Sequence, residues 1–294
     1  MLRIVPDEIP HTKLHHYLLG SIAPRPIAFA STVDAQGNPN LSPFSFFNVF
    51  GVNPTTLIFS PSRRGRDNST KNTMENVIEV PEVVINVVTY DMVNQVSLAS
   101  TEYPAGVDEF LKAGFSKIPS ELIRPFRVKE SPVQLECRVR DVIETGSGGG
   151  AANLIVCEIL LMHIQEDILG DDGMIDQHKI RLVGRLGKDY YVRAFGDALF
   201  EVEKPLQKIG IGIDALPGYI RNSRILTGNE LGQLGNVECL PGEEELKAMR
   251  ENPEIKELIE TSCDLVSDLS RLAVRYLETG HTYEALKLLM LINL

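Results

Sequence analysis

Between Pro24 and about Tyr191 the chain consists of short, β-branched apolar runs separated by turn residues, and this spacing limits the fold more than any other feature. Ile27–Val33 runs into Asp34-Ala35-Gln36-Gly37-Asn38, the chemistry of a hairpin turn. Asn40–Val52 follows, carrying Phe44, Phe46, Phe47 and Phe50, then Thr55–Phe59, Val83–Thr89, and two long runs, Val133–Glu144 and Ala152–Ile164. Strands in such succession predict a mainly β barrel or sandwich, not alternating βαβ units. Short peripheral helices are expected over Thr70–Glu79, with Ser69 or Thr70 as cap, over Asp91–Ser100, capped by Asp91, and over Asp108–Ala113, stopped by Gly114. The Gly146-Ser147-Gly148-Gly149-Gly150 cluster is not a dinucleotide fingerprint, because a strand rather than a helix follows it. It reads as a hairpin tip.

After Lys204 the texture changes, which divides the chain into a β domain, 1–204, and an irregular segment with a helical C-terminal extension, 205–294. Pro253 opens one amphipathic stripe through Ile255, Leu258, Ile259, Leu265, Val266, Leu269, Leu272, Ala273 and Tyr276, stopped by Gly280, and Thr282–Ile292 forms a last helix. This helical hairpin is expected to pack on its own barrel or on a second subunit.

A net charge of −11 argues against nucleic acid and anionic membranes as partners, since both need a positive field. No apolar run is long enough to span a bilayer, and Met1–Pro10 lacks the layout of a signal peptide, so a soluble, cytoplasmic protein is expected. Cys137, Cys157, Cys239 and Cys263 show no zinc spacing and read as buried free thiols. His11, His15 and His16 cluster near the N-terminus; two imidazoles four residues apart could share a helical face but have no third ligand nearby, which favours a surface or dimer contact over a metal site.

Two segments carry chemistry. In Asn40–Asn48 aromatics occupy both parities with serines between them, so one face can meet the core while the other offers a flat surface to a planar heterocycle; taken alone, the segment also reads as an ordinary two-sided core strand. Ser60–Thr73 places Arg63, Arg64, Arg66 and Lys71 at a strand-to-helix junction, where unpaired helix amides and cationic side chains suit a phosphate. A solvated loop would carry similar residues. The position ahead of a helix in so acidic a chain favours anion binding.

Pro24-Arg25-Pro26-Ile27-Ala28, the Asn40–Asn48 run, Lys71-Asn72-Thr73, Glu102-Tyr103-Pro104 with Asp108-Glu109-Phe110, and Ser131–Cys137 occur in an order that resembles the flavin reductase-like, FMN-binding split-barrel family. The resemblance covers about Pro24–Tyr191 and implies a homodimer of split β-barrels binding FMN near the subunit interface. It implies that Ser45, Phe46, Phe47 and Asn48 lie along the isoalloxazine. Ser60, Ser62, Arg63, Lys71, Asn72 and Thr73 fall to the phosphate segment, and Ser31 and Thr32 are further flavin contacts. Ser42 stands where alanine is common in the family and Asn72 where aspartate is common; neither change removes a positive charge or an amide donor. The activity implied is reduction of bound flavin by NADH or NADPH, the alternative being a non-catalytic FMN carrier or store. Hydride transfer to flavin requires stacking rather than a protein nucleophile, and no catalytic side chain is nominated. Glu136 and Glu158 are expected to pair with Arg138 or Arg140 across strands, and His163 to be structural.

Overall fold

Every residue of Ile27–Val33 is buried, because strand β1 (Ala28–Val33) has a core on each face. Ala28 and Ala30 enter one apolar cluster with Leu57, Phe59 and Ile85, whereas Phe29 enters another with Leu41, Phe110 and Phe115. The computed structural model describes residues 1–104, 106–206 and 208–293. They divide into two compact units, Met1–Phe200 and Glu201–Leu294.

In the first unit, α1 (His11–Ser21) leads into β1, followed by β2 (Pro39–Phe44), β3 (Phe47–Val52), β4 (Thr55–Phe59), α2 (Asn72–Glu79) and β5 (Glu82–Val87). Helices α3 (Val93–Leu98) and α4 (Glu109–Ala113) follow, then the short strands β6 (Lys117–Ile118) and β7 (Arg127–Val128). The long hairpin of β8 (Val133–Glu144) and β9 (Asn153–Ile164) comes next, and a smaller one of β10 (Leu182–Arg185) and β11 (Tyr191–Ala194) closes the unit. The main sheet has seven strands in the order β2-β1-β5-β8-β9-β4-β3, antiparallel at every pairing.

The aromatic run expected as one strand, Asn40–Val52, is two. Strands β2 and β3 are consecutive in sequence yet form opposite edges of the sheet, joined only by the bend Ser45-Phe46. In a straight strand Phe44 and Phe47 would face opposite ways. The bend lets both reach the same cluster and turns Phe46 outward, 42% exposed.

Helix caps differ from expectation too. Neither Ser69 nor Thr70 caps α2, whose N-cap position is Lys71 with no side-chain bond. Asp91 sits in a 3-10 turn ahead of α3 and pairs with Arg181 at 3.0 Å instead of capping. Asp108 does cap α4, accepting from the Phe110 amide at 3.0 Å, and Gly114 ends that helix at φ +73°.

The second unit contains α5 (Gly218–Arg221), α6 (Gly228–Leu234), α7 (Glu243–Arg250), α8 (Pro253–Thr261), α9 (Leu265–Glu278) and α10 (Thr282–Met290). The single stripe expected from Pro253 is broken at Ser262–Asp264. Asp264 caps the new helix by accepting from the Ser267 amide (3.2 Å) and hydroxyl (2.6 Å), and this local bonding overrides the continuous apolar period. Leu234, Leu269, Ala273, Ala285 and Leu286 form a core within this unit, so most of the stripe expected to seek the barrel or another subunit packs inside the unit itself, except Val266, which is 53% exposed. Cys137 and Cys157 are buried, and burial pushes the Cys157 thiol up to about 12, while Cys239 and Cys263 are exposed, contrary to expectation. Among the described residues no helix is long and apolar enough to cross a membrane.

Candidate functional site

The site is assembled where the sheet's opposite edges meet the loop after β4. The Ser60 amide donates to the Phe46 carbonyl at 2.9 Å, which fastens the start of the basic bend to the Ser45-Phe46 corner. The bend is then stapled to the β8–β9 hairpin. Pro61 O accepts from Asn153 Nδ2 at 2.9 Å, and the Arg63 amide donates to Ala151 O at 2.9 Å. The Arg63 guanidinium folds back on its own loop, bonding the side chain and carbonyl of Asn68, each at 2.8 Å.

Arg64 has a different environment. It bonds Ser69 Oγ at 3.0 Å and the Thr70 carbonyl, and its Nε meets Glu102 at 2.9 Å. Arg66 Nη2 (2.9 Å) and Lys71 Nζ (3.3 Å) reach the same carboxylate. Hydrogen bonds from Arg64 and Lys71 hold the Glu102 carboxyl below its ordinary range.

Helix α2 starts directly behind these cations with no side chain over its first amides. An uncapped helix start carries partial positive charge and unpaired N–H groups, so it attracts anions. Its position is fixed from below. Asn40 Nδ2 donates to Thr73 Oγ1 at 2.9 Å and to Thr32 Oγ1 at 3.3 Å, and Asn76 Nδ2 donates to Thr32 Oγ1 at 3.1 Å, all among buried residues. Asn40, Ser42, Arg64, Lys71, Asn72 and Glu102 face one cleft.

Glu109 also borders this cleft and accepts the Leu41 amide at 3.1 Å. Burial pushes its carboxyl above the ordinary range, outweighing that hydrogen bond. A carboxyl whose folded value is raised costs stability as pH climbs through the window from its unfolded to its folded value. Glu109→Gln keeps an acceptor for Leu41 and removes the cost. Thermal melts are expected to show this variant more stable than the parent at neutral pH, with the gap closing in acid. A less stable variant at neutral pH would disprove this account.

The corner itself is held by Arg25, which donates to the carbonyls of Leu19 (2.9 Å), Ile22 (2.7 Å) and Leu186 (3.0 Å) and to Ser45 Oγ (3.4 Å). Beyond it Phe46 and Asn48 are exposed, and Phe47 packs inward.

The sequence-expected residues therefore separate into groups. Lys71, Asn72 and Thr73 lie together at the start of α2 with Thr32 bonded beneath them, and Ser45, Phe46 and Ser60 meet at the corner. Arg63 is engaged within its own loop, and Ser62 follows the stretch pinned by Asn153. Ser31 has the parity of Phe29 and is fully buried, on the opposite side of β1 from Thr32, its hydroxyl without a partner among the described residues. Sequence reasoning counted Arg64 among the cations of the bend without choosing it, and missed Asn40, Glu102 and Arg25 as site residues, although all stand in segments it singled out. Glu136 does not pair with Arg138 or Arg140. Arg140 pairs with Glu158, while Glu136, fully buried, accepts from the amides of Glu121 (2.9 Å) and Leu122 (2.8 Å) and bonds His163 Nε2 at 2.8 Å.

Ser60 is 6% exposed, and its hydroxyl has no partner among the described residues. Leaving a buried hydroxyl unbonded costs about 1–3 kcal/mol. An orphan hydroxyl at the corner where Phe46 is exposed, with an uncapped cationic helix start at the other end of the same 60–71 segment, fits a ligand that combines a polar planar ring with an anionic tail.

Residues 19–181, over half of the chain, match the family described as Flavin reductase like domain. The chain belongs to the flavin reductase-like family. Among relatives of this flavin reductase-like chain, an uncharacterized protein from Aquifex aeolicus (strain VF5) is 34% identical over 201 residues, which span 68% of this chain and 100% of that protein. Since the relative is matched along its whole length, about a third of this chain has no counterpart in it. The crystal structure of nitrilotriacetate monooxygenase component B from Bacillus cereus is similar with a TM-score of 0.64 and 29% identity, covering 69% of this chain and 98% of that one. A split barrel domain protein from Shewanella frigidimarina NCIMB 400, at 22% identity and TM-score 0.58 over 69% of this chain and 100% of its own, shares the fold. The barrel is the split barrel of this family, with a helical C-terminal unit in addition.

Proposed function

We propose that the protein binds FMN and acts as an NAD(P)H-dependent flavin oxidoreductase, working as a cytoplasmic homodimer. The observation that carries this reading is the uncapped, cationic start of α2, which ends the same basic segment whose first residue, Ser60, is fastened to the exposed corner at Ser45-Phe46. A phosphate monoester with a planar ring matches both halves. Lys71, Arg64 and the first amides of α2, at Asn72 and Thr73, take the phosphate. The Ser60 hydroxyl gains the partner it lacks, and Ser45, Phe46 and Asn48 back the ring while Phe47 anchors their strand in the core. Ser62 and Arg63 shape the bend, Thr32 and Thr73 are tied together through Asn40, and Ser31 is buried in the core. Bound FMN supplies the hydride-accepting chemistry. The chain positions the ring and needs no side chain as acid or base.

The likeness to a monooxygenase component B supports a redox role. A homodimer is supported by edge strand β3, which leaves Val49, Phe50 and Val52 exposed, since an apolar unpaired edge invites another chain. Four free cysteines suit a reducing compartment.

The test is spectroscopic. Protein loaded with FMN is expected to show a flavin absorption band that bleaches on anaerobic addition of NADH or NADPH. A band that persists with both donors would overturn the reductase assignment and leave a carrier or store of FMN.

A further inference from the structure

We propose that Glu102 is an internal competitor for the phosphate seat, holding the cations that a phosphate monoester takes over on binding. This rests on reading the start of α2 as that seat. Arg66 is divided between Asp67 (3.0 Å) and Glu102 (2.9 Å), so Arg64 and Lys71 share with it the one carboxylate of Glu102. One such group neutralises only one of those two cations. A phosphate monoester carries about −1.5 to −2 charge near neutral pH and three strong acceptor oxygens. It can satisfy both cations and the first amides of α2 together, which a single carboxylate approaching from the side cannot do.

The position of Glu102 suits a group that gives way. It belongs to Ala99–Tyr103, the stretch after α3 that forms one wall of the cleft, outside any strand ladder. Its side chain is 36% exposed, whereas Arg64 is 17% exposed and fixed by Ser69 and Thr70. The carboxylate can therefore swing toward solvent by giving up its contacts to Arg64, Arg66 and Lys71, while Arg64 stays held by Ser69 and Thr70. Its residual hold makes the site selective. An anion must outbid a tethered carboxylate to enter, and a doubly charged phosphate monoester does so more readily than a singly charged or neutral ligand.

The opposite arrangement, in which Glu102 clamps the cations in place and helps the phosphate, predicts the opposite sign. Apoprotein of the parent, Glu102→Gln and Glu102→Ala is titrated with FMN and with riboflavin, following quenching of flavin fluorescence. Both variants are expected to bind FMN more tightly, roughly three- to tenfold, the scale of one partly exposed ion pair, with riboflavin affinity unchanged. A crystal of the parent with FMN is expected to show Glu102 withdrawn from Lys71. FMN affinity unchanged or weakened in both variants, or Glu102 still on Lys71 beside bound phosphate, would overturn the proposal. Misassignment of the seat itself gives a different pattern: FMN and riboflavin bind alike, and charge reversal at Lys71 has no effect either.

Discussion

Lys71→Glu is expected to lower FMN affinity by roughly a hundredfold while leaving the fold intact. A hydrogen bond to a charged group is worth about 1.5–3 kcal/mol, and the upper part of that range is about a hundredfold in a binding constant. The substitution removes such a bond and puts a carboxylate where the phosphate would sit, beside Glu102 and at the positive end of α2. Folding is spared because the Lys71 side chain caps nothing and its one ion pair is partly exposed. Fluorescence titration measures the affinity and circular dichroism checks the fold. An unaltered dissociation constant would place the phosphate elsewhere.

Glu136→Ala is expected to cost about 3–5 kcal/mol of stability, the scale for removing one partner of a buried charged network. Its carboxylate is fully buried and is the acceptor for the amides of Glu121 and Leu122 and for His163, so truncation strands these donors together. Burial alone would raise this carboxyl, but the two amides and His163 outweigh it and bring it below the ordinary range. A lowered folded value adds stability above the unfolded value and loses it as pH falls through the folded one. In urea melts the gap between parent and variant is thus expected to be widest at neutral pH and to narrow in acid. A neutral-pH gap under about 1 kcal/mol would show that the network is not holding the 119–127 loop to the sheet.

Much of the barrel is legible in the sequence because its strands are locally marked. Ile27–Val33 announces a strand through its apolar and β-branched residues, though not that both its faces are buried, and the hairpin of β8 and β9 is marked by the glycines between its arms. The break at Ser45-Phe46 is not legible, since it depends on which sheet edge each half joins, a decision taken by strands far along the chain. The same limit applies to the cations. Arg63 and Arg64 are adjacent and alike, and in an irregular bend no period says which one turns to the cleft. Arg64 does so because Glu102, far along the chain, stands there. The interruption between α8 and α9 is marked locally by Asp264 and Ser267, but the apolar stripe running through it conceals the signal.

The interlock of Thr32, Asn40, Thr73 and Asn76 separates foundation from function. Four uncharged polar side chains, sealed from solvent, bolt the first turn of α2 to β1 and β2, and none of them depends on a neighbouring ion for its bonds. The receptor is thus set during folding and spends little ordering entropy when its guest arrives. The rim charges at Arg64 and Lys71 can be rewritten to suit a different guest while the mounting beneath them stays as it is.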